Sequence, residues 1–250
     1  MKIVVEEVFL QSSGNKIVGR LYRPEHVEKP LPAVVLCHGY PGDTKSMDVA
    51  EALAFGGYVA LIFYYQGAWG SEGRYSLTKL EENAKDAVEY ILSLPFVDPN
   101  RLAMIGHSMG AVPVSKVVSV DGRIKTALYL SPAADFKKFV SSKTRRKHLS
   151  HLLKIGGGKL AGLNRESLLE DLRWVYKNSN PINLVGKASI PILIVVGSKD
   201  DVTTPRSCRR LYNAANPPKE YMEIPGADHS YYRHRTVLID HILSWLNAHL

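Results

Sequence analysis

Long apolar runs are missing from this chain. None approaches the ~20 residues that a membrane-spanning helix requires, although apolar residues make up 45% of the 250. The first ten residues, MKIVVEEVFL, carry Glu6 and Glu7 where a secretory signal would need an unbroken apolar stretch, so no signal peptide is expected. Cysteine is nearly absent. Cys37 sits inside the run AVVLC as a small core residue and Cys208 is the only other, so no disulfide framework is indicated. The expectation is a reduced, cytoplasmic protein. Internal repeats and low-complexity tracts are lacking too. GGGK at 156–159 lacks the outer spacing of a phosphate-binding loop and runs into Leu160 where serine or threonine belongs. No metal or other cofactor is expected.

What is present is ordinary core material, with 22% charged residues, in a chain long enough for one large α/β domain spanning 1–250. The net charge of +8 is unevenly spread: residues 136–187 hold twelve Lys and Arg against three acids, and the remainder twenty against twenty-one. Such a segment attracts anions, but most charge runs are solvated faces. No nucleic-acid motif accompanies it, and neither nucleic acid nor membrane is an expected partner.

Apolar runs predict strands over 3–10, 16–23, 33–37, 58–64, 101–105, 125–130, 191–196 and 219–224. Several, such as AVVLC, LAMIG and ILIVV, are continuous, the mark of strands covered on both faces of a parallel sheet. The first two run closer to alternation around QSSGN and predict an antiparallel hairpin at the sheet edge. Helices are predicted over 46–55, with Asp43, Thr44 or Ser46 as N-cap, over 79–93 with Thr78 as cap, and over 204–214 and 234–249. Alternating strand and helix means an open, mostly parallel α/β sheet. Residues 133–188 break that rhythm and predict a basic helical insertion, or cap, after strand 6.

The chemistry gathers at strand ends. In GHSMG, residues 106–110, a serine stands between two glycines where a buried strand meets a helix. The glycines admit a sharp turn, which lifts the hydroxyl out of the sheet and aims free helix N–H groups at whatever Ser108 attacks. A serine hydroxyl needs a base, and the base an orienting acid. GSKDDVTTP places Asp200 and Asp201 after a buried strand, and GADHS places His229 after the last one. Catalytic groups in open α/β sheets collect at these carboxyl ends.

With HGYPG at 38–42, these four motifs resemble those of the α/β-hydrolases, and the resemblance covers nearly the whole chain except 133–188. It implies an eight-stranded sheet flanked by helices and a triad of Ser108, Asp200 and His229, with Asp200 chosen over Asp201 by its distance from the glycine. It also implies an oxyanion hole from the backbone N–H groups of Tyr40 and Met109. His38 and His107 read as structural, and His148 and His151 as surface residues. Pro113 departs from the pattern, falling just inside the helix where it would remove a hydrogen bond or kink the helix. Trp69, in the loop 65–73, either lines the substrate pocket or packs beneath the loop.

The resemblance extends to cinnamoyl and feruloyl esterases, through the HGYPG loop, and to prolyl-oligopeptidase-like catalytic domains, through FVDPNRLAMIGHS and YYQGAWGSEG. Ala111 replaces the second glycine common after the peptidase serine, and 250 residues leave no room for the usual propeller. The implied activity is hydrolysis of small-molecule esters by a serine carboxylesterase. Acyl-peptide or amide hydrolysis is the alternative, as is a hydrolase-fold protein that only binds its ligand.

Overall fold

The computed structural model describes residues 2–42 and 46–250. Two of the predicted caps, Asp43 and Thr44, lie outside the described residues. Eight strands form one sheet: β1 (Ile3–Ser12), β2 (Asn15–Pro24), β3 (Leu31–Cys37), β4 (Val59–Phe63), β5 (Val97–His107), β6 (Ile124–Leu130), β7 (Ile192–Gly197) and β8 (Lys219–Ile224). Their spatial order is β1-β2-β4-β3-β5-β6-β7-β8, antiparallel at β1·β2 and β2·β4 and parallel from there on. Each predicted strand is present, within a few residues at each end. The edge hairpin closes through Ser13 and Gly14, both at positive φ, opposite the pair Ser12↔Asn15. Two left-handed residues match the twist of the strands they join.

Every residue of β4 is buried, because its two faces supply two different cores. Val35, Cys37, Leu61 and Phe63 face one core, with α2 (Leu80–Leu92) and α3 (Ala111–Val118) packed on it. Val34, Leu36, Ala60 and Ile62 face the other, covered by α1 (Met47–Phe55) and α9 (Arg235–His249). Each fully buried aliphatic side chain contributes about 1.5–3 kcal/mol, so covering both faces is what turns an alternating pattern into a continuous run.

Two local expectations are corrected. Ser76, not Thr78, caps the second helical segment: its hydroxyl accepts from the Thr78 N–H and opens a 3-10 turn at Leu77–Lys79 ahead of α2. Pro113 does not interrupt the helix. It is the third residue of α3, within the first turn, where N–H groups have no partner inside the helix to lose. Ser46 flanks α1 as expected but makes no side-chain cap bond.

Between β6 and β7 the chain forms α4 (Lys137–Val140), α5 (Arg145–Gly156), α6 (Arg165–Asn178) and α7 (Pro181–Leu184). The last regular helix before β8 is α8 (Pro205–Ala214), capped by Thr204. Cys37 and Cys208 are both buried and unlinked, and burial pushes each thiol up to about 12. Among the described residues no helix is long and apolar enough to cross a membrane.

Candidate active site

Ser108 follows directly on β5 with φ +52° and starts a 3-10 turn, Ser108–Gly110, that leads into α3. A left-handed serine is strained backbone, tolerated where the surroundings hold it. Its carbonyl accepts from the Ala133 N–H at 2.8 Å. The turn also presses against β3. A Cβ on Gly110 would stand 2.1 Å from the Cys37 carbonyl oxygen, and one on Gly106 would stand 2.7 Å from the Gly110 oxygen. Any side chain there would push the serine off its perch, which is the physical content of the glycine pattern.

The loops after β7 and β8 bring the other two residues to it. His229 Nε2 lies 3.0 Å from Ser108 Oγ, and His229 Nδ1 lies 2.9 Å from Asp200 Oδ2. Asp200 is buried. Burial pushes its carboxyl up, but the His229 hydrogen bond and charge, with the Ser131 hydroxyl and the Thr203 N–H, outweigh that and hold it below its ordinary value. An ionised carboxylate can only accept, so the proton on His229 belongs on Nδ1, leaving the Nε2 lone pair facing the serine hydroxyl. Asp201 is exposed.

Several groups around this line were not visible in the sequence. Asp200 Oδ1 accepts from the N–H groups of Val202 (2.9 Å) and Thr203 (2.8 Å). Thr203 Oγ1 stands 2.9 Å from Asp200 Oδ2, 2.8 Å from the Ser131 carbonyl and 3.2 Å from His229 Nδ1. Beneath it, Ser131 Oγ and Tyr231 Oη pair at 2.8 Å, and Tyr231 donates to the Val195 carbonyl at 2.9 Å. An aspartate followed three residues later by threonine is a local turn signal that could have found Thr203. Ser131 and Tyr231 arrive by tertiary packing and carry no such signal.

Both structural histidines are engaged. His38 is buried in the loop after β3, its Nδ1 2.7 Å from the Gly39 carbonyl oxygen and its ring 4.3 Å from that of Tyr65. His107 steadies the histidine loop, its Nε2 lying 3.0 Å from the His229 carbonyl oxygen. His151 is exposed, but His148 is half-buried against Phe139 rather than a plain surface residue.

The loop after β3 runs past Ser108, since a Cβ on Gly39 would stand 3.0 Å from Ser108 Cβ. Tyr40 follows Gly39 there, and Met109 follows the serine at the start of its turn. The Tyr40 hydroxyl is not offered to a ligand, because it donates to the Leu152 carbonyl of α5 at 3.0 Å. Trp69 is 44% exposed, so it is not packed away. It stacks on Tyr64, and its Nε1 donates to the Pro41 carbonyl at 3.3 Å. With Leu160 and Ala161 of the insertion it lines one open groove. Among the described residues no cluster of His, Cys, Asp and Glu is placed to hold a metal ion.

Known proteins are similar to this chain in sequence or in fold. Uncharacterized protein Rv2307c of Mycobacterium tuberculosis is 29% identical over 226 residues, covering 90% of this chain and 72% of its own. Polyketide transferase ATR5 of Stachybotrys chlorohalonatus is 26% identical over 242 residues, covering 79% of this chain and 81% of its own. The solved structure of Est1E from Butyrivibrio proteoclasticus with ferulic acid bound matches the fold with a TM-score of 0.79 at 22% identity, covering 97% of this chain and 98% of that one. The model of the alpha/beta hydrolase family matches residues 34–240, and with most of its length inside that match this chain belongs to the alpha/beta hydrolase family.

Proposed function

We propose that the protein is a serine carboxylesterase that hydrolyses small acyl esters through an acyl-enzyme on Ser108. The observation that carries this reading is the continuous hydrogen-bond line from Ser108 Oγ through His229 to the buried Asp200 carboxylate. Ser108 Oγ attacks the ester carbonyl carbon while its proton passes to His229 Nε2. Asp200 stabilises the imidazolium so formed and keeps the ring oriented. The backbone N–H groups of Tyr40 and Met109 receive the negative oxygen of the tetrahedral intermediate, interactions stronger there than with the ground-state carbonyl. Collapse breaks the bond to the alcohol, which leaves with the proton from Nε2. Water then gives its proton to Nε2, attacks the acyl carbon, and releases the acid as Ser108 recovers its hydrogen.

Labelling with a fluorophosphonate followed by peptide mapping tests the assignment, together with turnover of p-nitrophenyl butyrate. The label belongs on Ser108, and Ser108→Ala should lower kcat by about 10⁴-fold or more. A label on another serine, or an active alanine variant, overturns the assignment. A matched p-nitroanilide, slower than the ester by a wide margin, separates ester from amide preference.

A further inference from the structure

From residue 136 to residue 165 the chain carries nine Lys and Arg, two His and no acid. Elsewhere, cations are drawn into pairs, as in Arg23–Glu6, Lys85–Glu81, Arg101–Asp98 and Arg235–Asp48. No described ion pair takes a cation from this stretch. Even Asp135, at its border, pairs with Arg210 of α8 instead. Arg145, Arg146 and Lys147 open α5, with no acid in that turn and no side-chain cap from Thr144. Positive charge there opposes the helix dipole. The arrangement therefore serves neither the helix nor an internal salt bridge.

Its position is informative. Lys138 of α4 donates to the Val202 carbonyl, in the loop that holds Asp200, at 3.2 Å. Next to it Phe139 meets His148 of α5, ring centroids 5.3 Å apart. At its other end α5 receives the Tyr40 hydroxyl on Leu152, in the loop that lies against Ser108. So α4 and α5 run from the loop on the acid side of the serine to the loop on its other side. The positive stretch thus borders the mouth of the site. Lys138 and His148 both hold their protons less tightly than usual, first through burial; at His148 the neighbouring cations Lys138, Lys147 and His151 add to the effect. At Lys138 the negative groups Asp200, Cys208 and Asp135 oppose the shift, so only at His148 does the positive neighbourhood itself weaken the hold on the proton.

We infer that the preferred substrates of this site carry an anionic group, carboxylate or phosphate, on the portion left outside the acyl bond, and that the opening turn of α5 captures it. The inference rests on the esterase reading above. The anion could sit on the acyl or on the alcohol side, and the two share the same recognition chemistry.

Four esters separate these cases: p-nitrophenyl hemisuccinate and its methyl ester, and the butyryl ester of 3-hydroxybenzoate and that of methyl 3-hydroxybenzoate. Each is followed from about 0.01 M to about 1 M salt, where the screening length falls from about 30 Å to about 3 Å. One anionic ester should exceed its neutral partner in kcat/KM by about tenfold at low salt, and which pair shows the gap reveals the side. The gap should close at high salt and in Arg145→Gln/Arg146→Gln/Lys147→Gln, while the neutral esters keep their rates. Parallel salt curves for both pairs, or an undiminished gap in the triple variant, overturn the inference and leave esterase activity standing. The same esters titrated into Ser108→Ala read binding without turnover. Equal affinity for charged and neutral members overturns the inference there even if the protein hydrolyses none of them, an outcome that by itself would overturn only the esterase reading.

Discussion

Asp200 at the carboxyl end of β7 and Asp171 in α6 of the insertion are both withdrawn from water, yet the first is held below the usual carboxylate range and the second above it. Burial pushes both up. At Asp200 it is outweighed by the His229 hydrogen bond and charge and by further donors. At Asp171 only the Leu77 N–H, 2.7 Å away, and the Ser76 hydroxyl, 2.9 Å away, oppose it, and Glu170 adds to the rise. The insertion has twelve Lys and Arg within 136–187, and no described ion pair joins any of them to Asp171. At the carboxyl edge of the sheet the charge of Asp200 is turned inward, onto His229. The insertion attaches through its Asp171 carboxyl to the Ser76 hydroxyl and the Leu77 N–H, without pairing it to any of those cations.

The sharpest way to break this contrast is at the sheet edge. Asp200→Asn removes the acceptor that holds His229 in its tautomer, so kcat should fall by roughly 10⁴-fold. Asp201→Asn, one residue on but exposed, should change it by less than about fivefold. Equal losses in p-nitrophenyl ester hydrolysis would mean that the loop register is misassigned.

The seam between the two regions comes next. A Cβ on Gly156 would stand 2.1 Å from the Tyr40 hydroxyl oxygen. Gly156→Ala should displace Tyr40 and the backbone beside Ser108, costing roughly 10- to 100-fold in kcat. Adding Tyr40→Phe removes the nearest of the colliding atoms and should restore part of that loss. A double-mutant cycle in kcat reads the coupling, and strict additivity would refute it.

A smaller effect is expected at Trp69. Trp69→Ala should shift the preferred acyl chain length across a series of p-nitrophenyl esters without lowering the melting temperature, since nearly half of the side chain is already exposed. An unchanged chain-length profile would remove Trp69 from the pocket.

The smallest concerns pH. Because the folded-state pKa of Asp171 is raised above its ordinary 3.8, its contribution to stability is full below that value and is lost as pH rises through the folded value. The difference in melting temperature between the native protein and Asp171→Asn should therefore shrink from about pH 4 upward. For Asp200, with its lowered value, the sign is opposite: its contribution is present above 3.8 and is lost as pH falls through the folded value. A flat difference curve for Asp171→Asn would show that no raised carboxyl holds the insertion.

What the sequence disclosed follows the same division. Strand positions and the Ser108 turn were legible because continuous apolar runs and paired glycines have few other physical explanations. The loop of Asp200 and Asp201 and that of His229 could be picked out because a parallel sheet delivers its loops to one edge, and the resemblance then chose Asp200. The attachment of the insertion could not. Ala161 exchanges backbone bonds with Gly67 and Tyr75, and Tyr40 binds a carbonyl of Leu152, so the partners are main-chain groups that any residue supplies. Ser131 and Tyr231, at positive φ like Ser108, were equally hidden, since serine and tyrosine give no local sign of a left-handed backbone.

The bond from Tyr40 to Leu152 has a thermodynamic corollary. One residue belongs at once to the backbone beside Ser108 and, through its hydroxyl, to α5, so a ligand that favours one placement of α5 favours one placement of that backbone. Linkage makes the influence mutual. If α5 captures an anion as proposed, a reversible tetrahedral boronate at Ser108 alters the affinity of α5 for that anion by the same factor by which the anion alters the affinity of the serine site for the boronate.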